Sequence, residues 1–307
     1  MKLLTFRAVG AAPRAGLLLE RQGQQKVVDL AHAATKLCHL NLPETTLALL
    51  QADPGLKLTR RVFEALNSTQ SGEQTPGFEL ADIQLCPPVM FPGAMLDFYT
   101  FEQHVATCRA KRGLEVVPEW YQYPVYYNGN PRALIGHGAD VAFPKGESKR
   151  DYELELAIVI GKEGRDIPVE KAEEYIAGYT ILNDWSARAI QAEVMKIGLG
   201  PAKGKDFASS LGPVLVTPDE IGDPRNLTMV ARVNGEEWSR GNSGSSFYTF
   251  AQMIAFASEG VTLYPGDLLG SGTVGTGCGL ELDKFLQPGD SVELEIEKIG
   301  ILANRVV

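Results

Sequence analysis

Short apolar runs open the chain. Residues 3–9, 16–21 and 26–30 predict three strands, with Gln22 and Gly23 as the hairpin turn between the last two. Leu47, Leu50, Val62, Phe63 and Leu66 then recur at helical spacing. The stretch NSTQSGEQTPG, residues 67–77, is polar and ends on a Pro-Gly turn, which makes it the best linker candidate. A boundary is expected between it and Pro87-Pro88. This divides the chain into a small N-terminal α+β domain, residues 1–75, and a larger unit, residues 85–307. The larger unit is strand-rich. Residues 154–160 are almost continuously apolar, as expected of a central strand covered on both faces. VEKAEEYIAGYTILNDWS reads as a short helix, a glycine at Gly178 and a strand over 179–182. Residues 212–216, 228–233, 268–269 and 291–296 predict further strands, and Gly266-Asp267 and Gly289-Asp290 predict turns. No repeat or low-complexity tract is present. The expected fold class is strand-rich α+β.

Composition narrows the function. The 307 residues are long enough for about two domains, and a 44 % hydrophobic content is ordinary for a globular protein. With 38 acidic against 29 basic residues the formal charge is −9, so phosphate-bearing partners are repelled and neither nucleic acid nor an anionic membrane is expected. Part of that negative charge can instead surround a cation. Cys38, Cys86, Cys108 and Cys278 form no CxxC motif and are expected as free thiols in a reducing compartment. The start, MKLLTFRAVGAAPRAG, has too short an apolar run for a signal peptide, and no segment reaches the ~20 apolar residues of a membrane helix. The cytoplasm is the expected location.

Candidate chemistry begins at Asp151-Tyr152-Glu153-Leu154-Glu155. Alternate side chains of a strand share a face, so Glu153 and Glu155 are expected to point the same way, roughly 7 Å apart. Two carboxylates at the mouth of a buried strand call for a positive partner, and a hard divalent cation takes oxygen ligands. Two solvated glutamates on an edge strand are the alternative. Asn183-Asp184-Trp185-Ser186-Ala187-Arg188 places an acid and an arginine at a strand-to-helix junction, with Gln191 on the same helical face as Arg188. Here the alternative is an N-capping Asp184 beside a surface arginine. Lys203-Gly204-Lys205 lacks the pattern of a phosphate loop and by itself fits a solvated loop. His104 follows Asp97 in LDFYTFEQH. His32, Cys38 and His39 are poorly spaced for zinc, and His137 fits a plain loop residue.

The order of these pieces resembles the fumarylacetoacetase family. The similarity runs from about Leu85 to the end through DYELELAIVIGK, GYTILNDWSAR, GKDF, GP, YPGDLLGSGT and LQPGDSVELEIEKIGIL. The preceding LDFYTFEQH resembles fumarylacetoacetase itself, whereas the short N-terminal unit is more similar to the smaller relatives. The resemblance implies a mixed β-sandwich roll, paired as a homodimer, and a hydrolase acting on carbon–carbon bonds of a small keto-acid substrate. It implies Asp97, Glu153, Glu155 and Asp184 as metal ligands, with Mg²⁺ expected and Mn²⁺ or Ca²⁺ as alternatives. It also implies Tyr99, Tyr127 and Thr273 as substrate contacts, Arg188, Gln191 and Lys205 as stabilisers of negative charge, His104 as general base and Glu281 as the acid that orients it. Met195 stands where fumarylacetoacetase has a tyrosine, and Arg112 only approximates its substrate arginine. The same cradle serves oxaloacetate decarboxylation and hydration or isomerisation of unsaturated keto acids, so these are the rival reactions. A non-catalytic binding protein is the remaining alternative.

Overall fold

A computed structural model of the chain describes residues 1–21, 23–68 and 77–307. Gln22 of the expected hairpin turn and residues 69–76 of the expected linker lie outside them.

The continuous apolar run becomes the strand Leu154–Ile160, and all seven of its residues are buried. It lies antiparallel between Ile176–Asn183 and Leu268–Gly270. Period-two alternation sends its side chains into two cores. Leu154, Leu156, Ile158 and Ile160 join one cluster with Met229, Leu294 and Leu302. Ala157 and Val159 join the other, with Leu3, Leu49, Leu50 and Val62. A strand covered on both faces cannot alternate with polar residues, which is why the run reads as continuously apolar.

Beyond Ile176–Asn183 the sheet continues through Ser209–Val216 and then Lys2–Ala8, Arg14–Arg21 and Gln24–Asp29. Lys2 and Leu3 pair with Val216 and Leu215, so the first strands of the chain extend the large sheet. The helices Leu30–Cys38, Thr46–Ala52 and Lys57–Ser68 contribute Leu30, Leu49, Leu50 and Val62 to the second core. On the far side, Met95–Phe98 runs parallel to Leu268–Gly270 and brings Asp97 beside Gly270. A second sheet of Glu236–Asn242, Thr228–Val233, Ser291–Ile296, Gly300–Val306 and Asp140–Val141 closes the first core. The fold is α+β and strand-rich, as expected.

Several local expectations change. The third strand stops at Asp29, whose side chain accepts a hydrogen bond from the His32 amide and starts a helix at Leu30. The strand expected over 179–182 starts earlier, at Ile176, so Gly178 sits inside Ile176–Asn183, where an added Cβ would press on the Val216 carbonyl at 2.7 Å. The short helix before it, Val169–Tyr175, is a 3₁₀ helix. The helices Glu102–Ala110 and Phe250–Ser258 and the strands Glu236–Asn242 and Gly300–Val306 carry no strong periodic signal and were not anticipated. Among the described residues no helix is long and apolar enough to cross a membrane.

Candidate active site

Three strand ends meet in one cavity of about 490 Å³. Asp97 comes from Met95–Phe98, Glu155 from Leu154–Ile160, and Asp184 follows Ile176–Asn183. One oxygen of each lies within 4.8 Å of the others, and all three residues are buried. Oδ1 of Asp97 and Oδ1 of Asp184 are buried without a hydrogen-bond partner. A buried carboxylate oxygen with no donor is costly unless something positive faces it. Burial and the Asp184 charge push Asp97 well above the usual carboxylate range, and burial with Asp97 does the same to Glu155. The orphaned oxygens and the all-oxygen donor set fit a hard divalent cation. Gly270 keeps the approach open: a Cβ there would meet Asp97 Oδ1 at 2.6 Å and Glu155 Oε2 at 3.0 Å.

Glu153 lies outside that cluster of three. Its carboxylate takes Lys205 Nζ at 2.5 Å and Arg188 Nη2 at 2.6 Å. Burial raises its pKa, but the two cations outweigh burial and hold it well below the ordinary value. Lys205 also pairs with Asp184, so it bridges the cluster to Glu153. Burial lowers the pKa of Lys205, but Asp184 and Glu153 more than offset this and keep it charged. Arg188 Nη1 donates to Gln191 Oε1 at 3.0 Å, across one helical turn. The buried arginine and lysine rule out the surface-arginine and solvated-loop alternatives.

His104 lies opposite, on the helix Glu102–Ala110. Its Nδ1 is 2.9 Å from Glu281 Oε2, and its Nε2 is 3.9 Å from Glu153 Oε1. Burial pulls the imidazole pKa down, but hydrogen bonds with Cys278 and Glu281 raise it further, to about 10. Burial pushes the Cys278 thiol well above its ordinary value, so it is uncharged near neutral pH. Tyr99 meets the His104 ring edge-on, with centroids 5.4 Å apart. Tyr127 donates to Asp184 at 2.7 Å, and Thr273 donates to Glu155 at 3.4 Å. Arg112 and Met195 meet where Arg112 Nη1 lies 4.0 Å from Met195 Sδ, in the cavity wall.

Two supporting carboxylates were not singled out from the sequence. Asp151 accepts Arg188 Nε at 2.7 Å and the amides of Gly279 and Leu280 at 2.7 and 3.0 Å. It thus ties Arg188 to the turn that carries Glu281. The signal was available, since Asp151 shares strand parity with Glu153 and Glu155. Glu147 accepts the Ala189 and Ile190 amides at 3.2 and 3.1 Å, satisfying free donors at the start of the helix Arg188–Val194.

The model of the C-terminal domain of fumarylacetoacetate (FAA) hydrolase matches residues 94–307. The chain belongs to the fumarylacetoacetate hydrolase family. It is 33 % identical to a human mitochondrial oxaloacetate tautomerase, over 87 % of this chain and 81 % of the relative. It is 30 % identical to the oxaloacetate tautomerase YisK of Bacillus subtilis, over 95 % of each. A fumarylacetoacetate hydrolase from psychrophilic Exiguobacterium antarcticum superposes with a TM-score of 0.73 at 26 % identity, covering 100 % of this chain and 99 % of the other. The chain is therefore that of an enzyme of this family, whose members include hydrolases and tautomerases.

Proposed function

We propose that this protein is a divalent-cation-dependent hydrolase that cleaves a carbon–carbon bond in a small diketo acid of the fumarylacetoacetate or acylpyruvate kind. The observation that carries the reading is the 2.9 Å contact of His104 Nδ1 with Glu281, in the cavity that also holds Asp97, Glu155 and Asp184. A carboxylate on Nδ1 fixes the ring and leaves Nε2 facing the cavity.

Asp97, Glu155 and Asp184 would hold the cation, with Glu153 at the edge of the set; the oxygen donors suit Mg²⁺, the ion proposed, and Mn²⁺ or Ca²⁺ as alternatives. When bound, such a cation supplies positive charge that draws the keto-acid oxygens to this end of the cavity and opposes the build-up of negative charge there. The raised pKa leaves only a minor fraction of His104 neutral near pH 7; that neutral form takes a proton from water through Nε2, and the hydroxide adds to the carbonyl carbon. Arg188, Gln191 and Lys205 offset the charge on the resulting oxyanion, a role in which one lost donor costs on the order of 10²-fold in rate. The carbon–carbon bond then breaks, and the imidazolium of His104 returns its proton to the departing carbon. Tyr99, Tyr127 and Thr273 line the cavity as substrate contacts.

A second reading is oxaloacetate tautomerisation, favoured by the names of the two tautomerase relatives. It needs proton transfer between carbon and oxygen but no water attack. Fumarylacetoacetate, an acylpyruvate series and oxaloacetate, each assayed with and without Mg²⁺ and with product identification, separate the two. Cleavage products from a diketo acid support the hydrolase. Enol–keto interconversion of oxaloacetate with no cleavage of any diketo acid overturns it.

A further inference from the structure

Two sulfurs that the proposed chemistry does not use lie against the His104 ring. Cys108 lies one turn along the helix Glu102–Ala110, and Cys278 precedes the turn that carries Glu281. Cys108 Sγ is 3.7 Å and Cys278 Sγ 3.9 Å from His104 Nδ1. Cys278 Sγ is 3.4 Å from Glu281 Oε2, which itself sits 2.9 Å from Nδ1. Ligand atoms of His104, Cys108 and Cys278 all lie within 4.8 Å of one another, and all three residues are buried.

These separations are those of a ligand cage. Around a tetrahedral Zn²⁺, with Zn–S of about 2.3 Å and Zn–N of about 2.0–2.1 Å, sulfur and nitrogen ligands stand roughly 3.6 Å apart. The observed sulfur–nitrogen and sulfur–oxygen separations fall within a few tenths of an ångström of that. Cys108 and His104 line the 490 Å³ cavity, which supplies an entry path. The donor set is soft and differs in kind from the all-oxygen cluster of Asp97, Glu155 and Asp184.

We propose that Cys108, Cys278, His104 and Glu281 form a second metal site, one that takes Zn²⁺ or a similar thiophilic divalent ion and inactivates the enzyme when filled. Binding displaces the protons of both thiols and of Nδ1 to solvent. Two thiolates and a carboxylate leave one net negative charge around the ion, and Arg188 lies close enough for both sulfurs to act on its charge. With Nδ1 and Glu281 committed to the ion, His104 loses its orienting partner. The cage stands on its own geometry; the loss of turnover rests on the role proposed for His104.

The test uses the full chain, reduced and saturated with Mg²⁺, titrated with Co²⁺ as a spectroscopic stand-in for Zn²⁺. One equivalent should bind with strong thiolate-to-cobalt charge-transfer absorption. Cys108→Ser and Cys278→Ser should each weaken that binding by more than the roughly 10–100-fold that loss of a group supporting a ligand costs, while Cys38→Ser should leave it unchanged. Zn²⁺ should also slow alkylation of Cys108 in the wild type without affecting Cys38, a readout that needs no variant. Co²⁺ spectra free of thiolate bands, or an unaltered alkylation rate, would overturn the site. Thiolate bands with undiminished turnover would keep the site and overturn the role given to His104.

Discussion

Asp151 grips Arg188 from behind: its Oδ2 accepts the guanidinium Nε at 2.7 Å, and both side chains are buried. Burial raises the Asp151 pKa above its ordinary value even against the pull of Arg188. Such a pair costs desolvation and returns it only through well-made hydrogen bonds, so its value here is positional. The same carboxylate holds the Gly279 and Leu280 amides, which sets Arg188 and Glu281 in one frame.

Asp151→Asn should therefore lower kcat by about 10–100-fold, the usual effect of removing a group that orients others. Metal affinity should change little, because Asp151 does not belong to the carboxylate cluster. Steady-state kinetics and Mn²⁺ binding on the same preparation check this. An unchanged kcat would reduce Asp151 to a packing role.

Glu155→Gln should lose most activity with little change in fold. The amide keeps the shape but removes a charge from the set with Asp97 and Asp184. Exhaustive chelation should abolish turnover in the wild type, and Mg²⁺ or Mn²⁺ should restore it. Full activity after chelation would remove the metal from the account.

Lys205→Met should lower kcat far more than it raises KM, because the ammonium is assigned to charge that develops only in the transition state. Single-turnover measurements distinguish this from weaker substrate binding. Equal kcat would restrict Lys205 to holding Glu153 and Asp184 together.

The chemistry was more legible than the frame behind it. Leu154–Ile160 was readable because burial on both faces forbids polar residues. Glu153, Glu155, Asp184, Arg188, Gln191 and Lys205 lie in short motifs of fixed order, and the structure brings them into one cavity. Glu281 lies 177 positions from His104, so their contact depends on tertiary structure that no spacing rule reaches. Glu147 looks like any surface glutamate in the sequence, and only the free amides of the helix starting at Arg188 give it a task. The attachment of the first strands to Ser209–Val216 was equally unreadable, since strand pairing partners leave no mark in one sequence. Gly178 marks the close approach of Ser209–Val216, but a strand glycine does not say which neighbour it admits.

His137 predicts a pH dependence of stability away from the site. Its Nδ1 accepts the Ala303 amide at 3.2 Å, and burial lowers its pKa. A lowered histidine contributes stability that is present above the unfolded pKa of about 6.5 and is lost as pH falls towards the folded value. Denaturant unfolding of wild type and His137→Asn should show the wild type losing stability more steeply below about pH 6.5, by at most ~1.4 kcal/mol per pH unit. Parallel curves would contradict a half-buried imidazole with a lowered pKa.

The most direct test of the central claim is His104→Ala, assayed for diketo-acid cleavage and for metal binding on one purified sample. Hydrolysis needs a base for water, and the imidazole held by Glu281 is the group placed to serve. The proposed metal ligands are all carboxylates, so the variant should bind Mg²⁺ or Mn²⁺ nearly as the wild type does, with cleavage abolished. Cleavage at near wild-type rate would show that His104 is structural and that the hydrolytic mechanism is wrong.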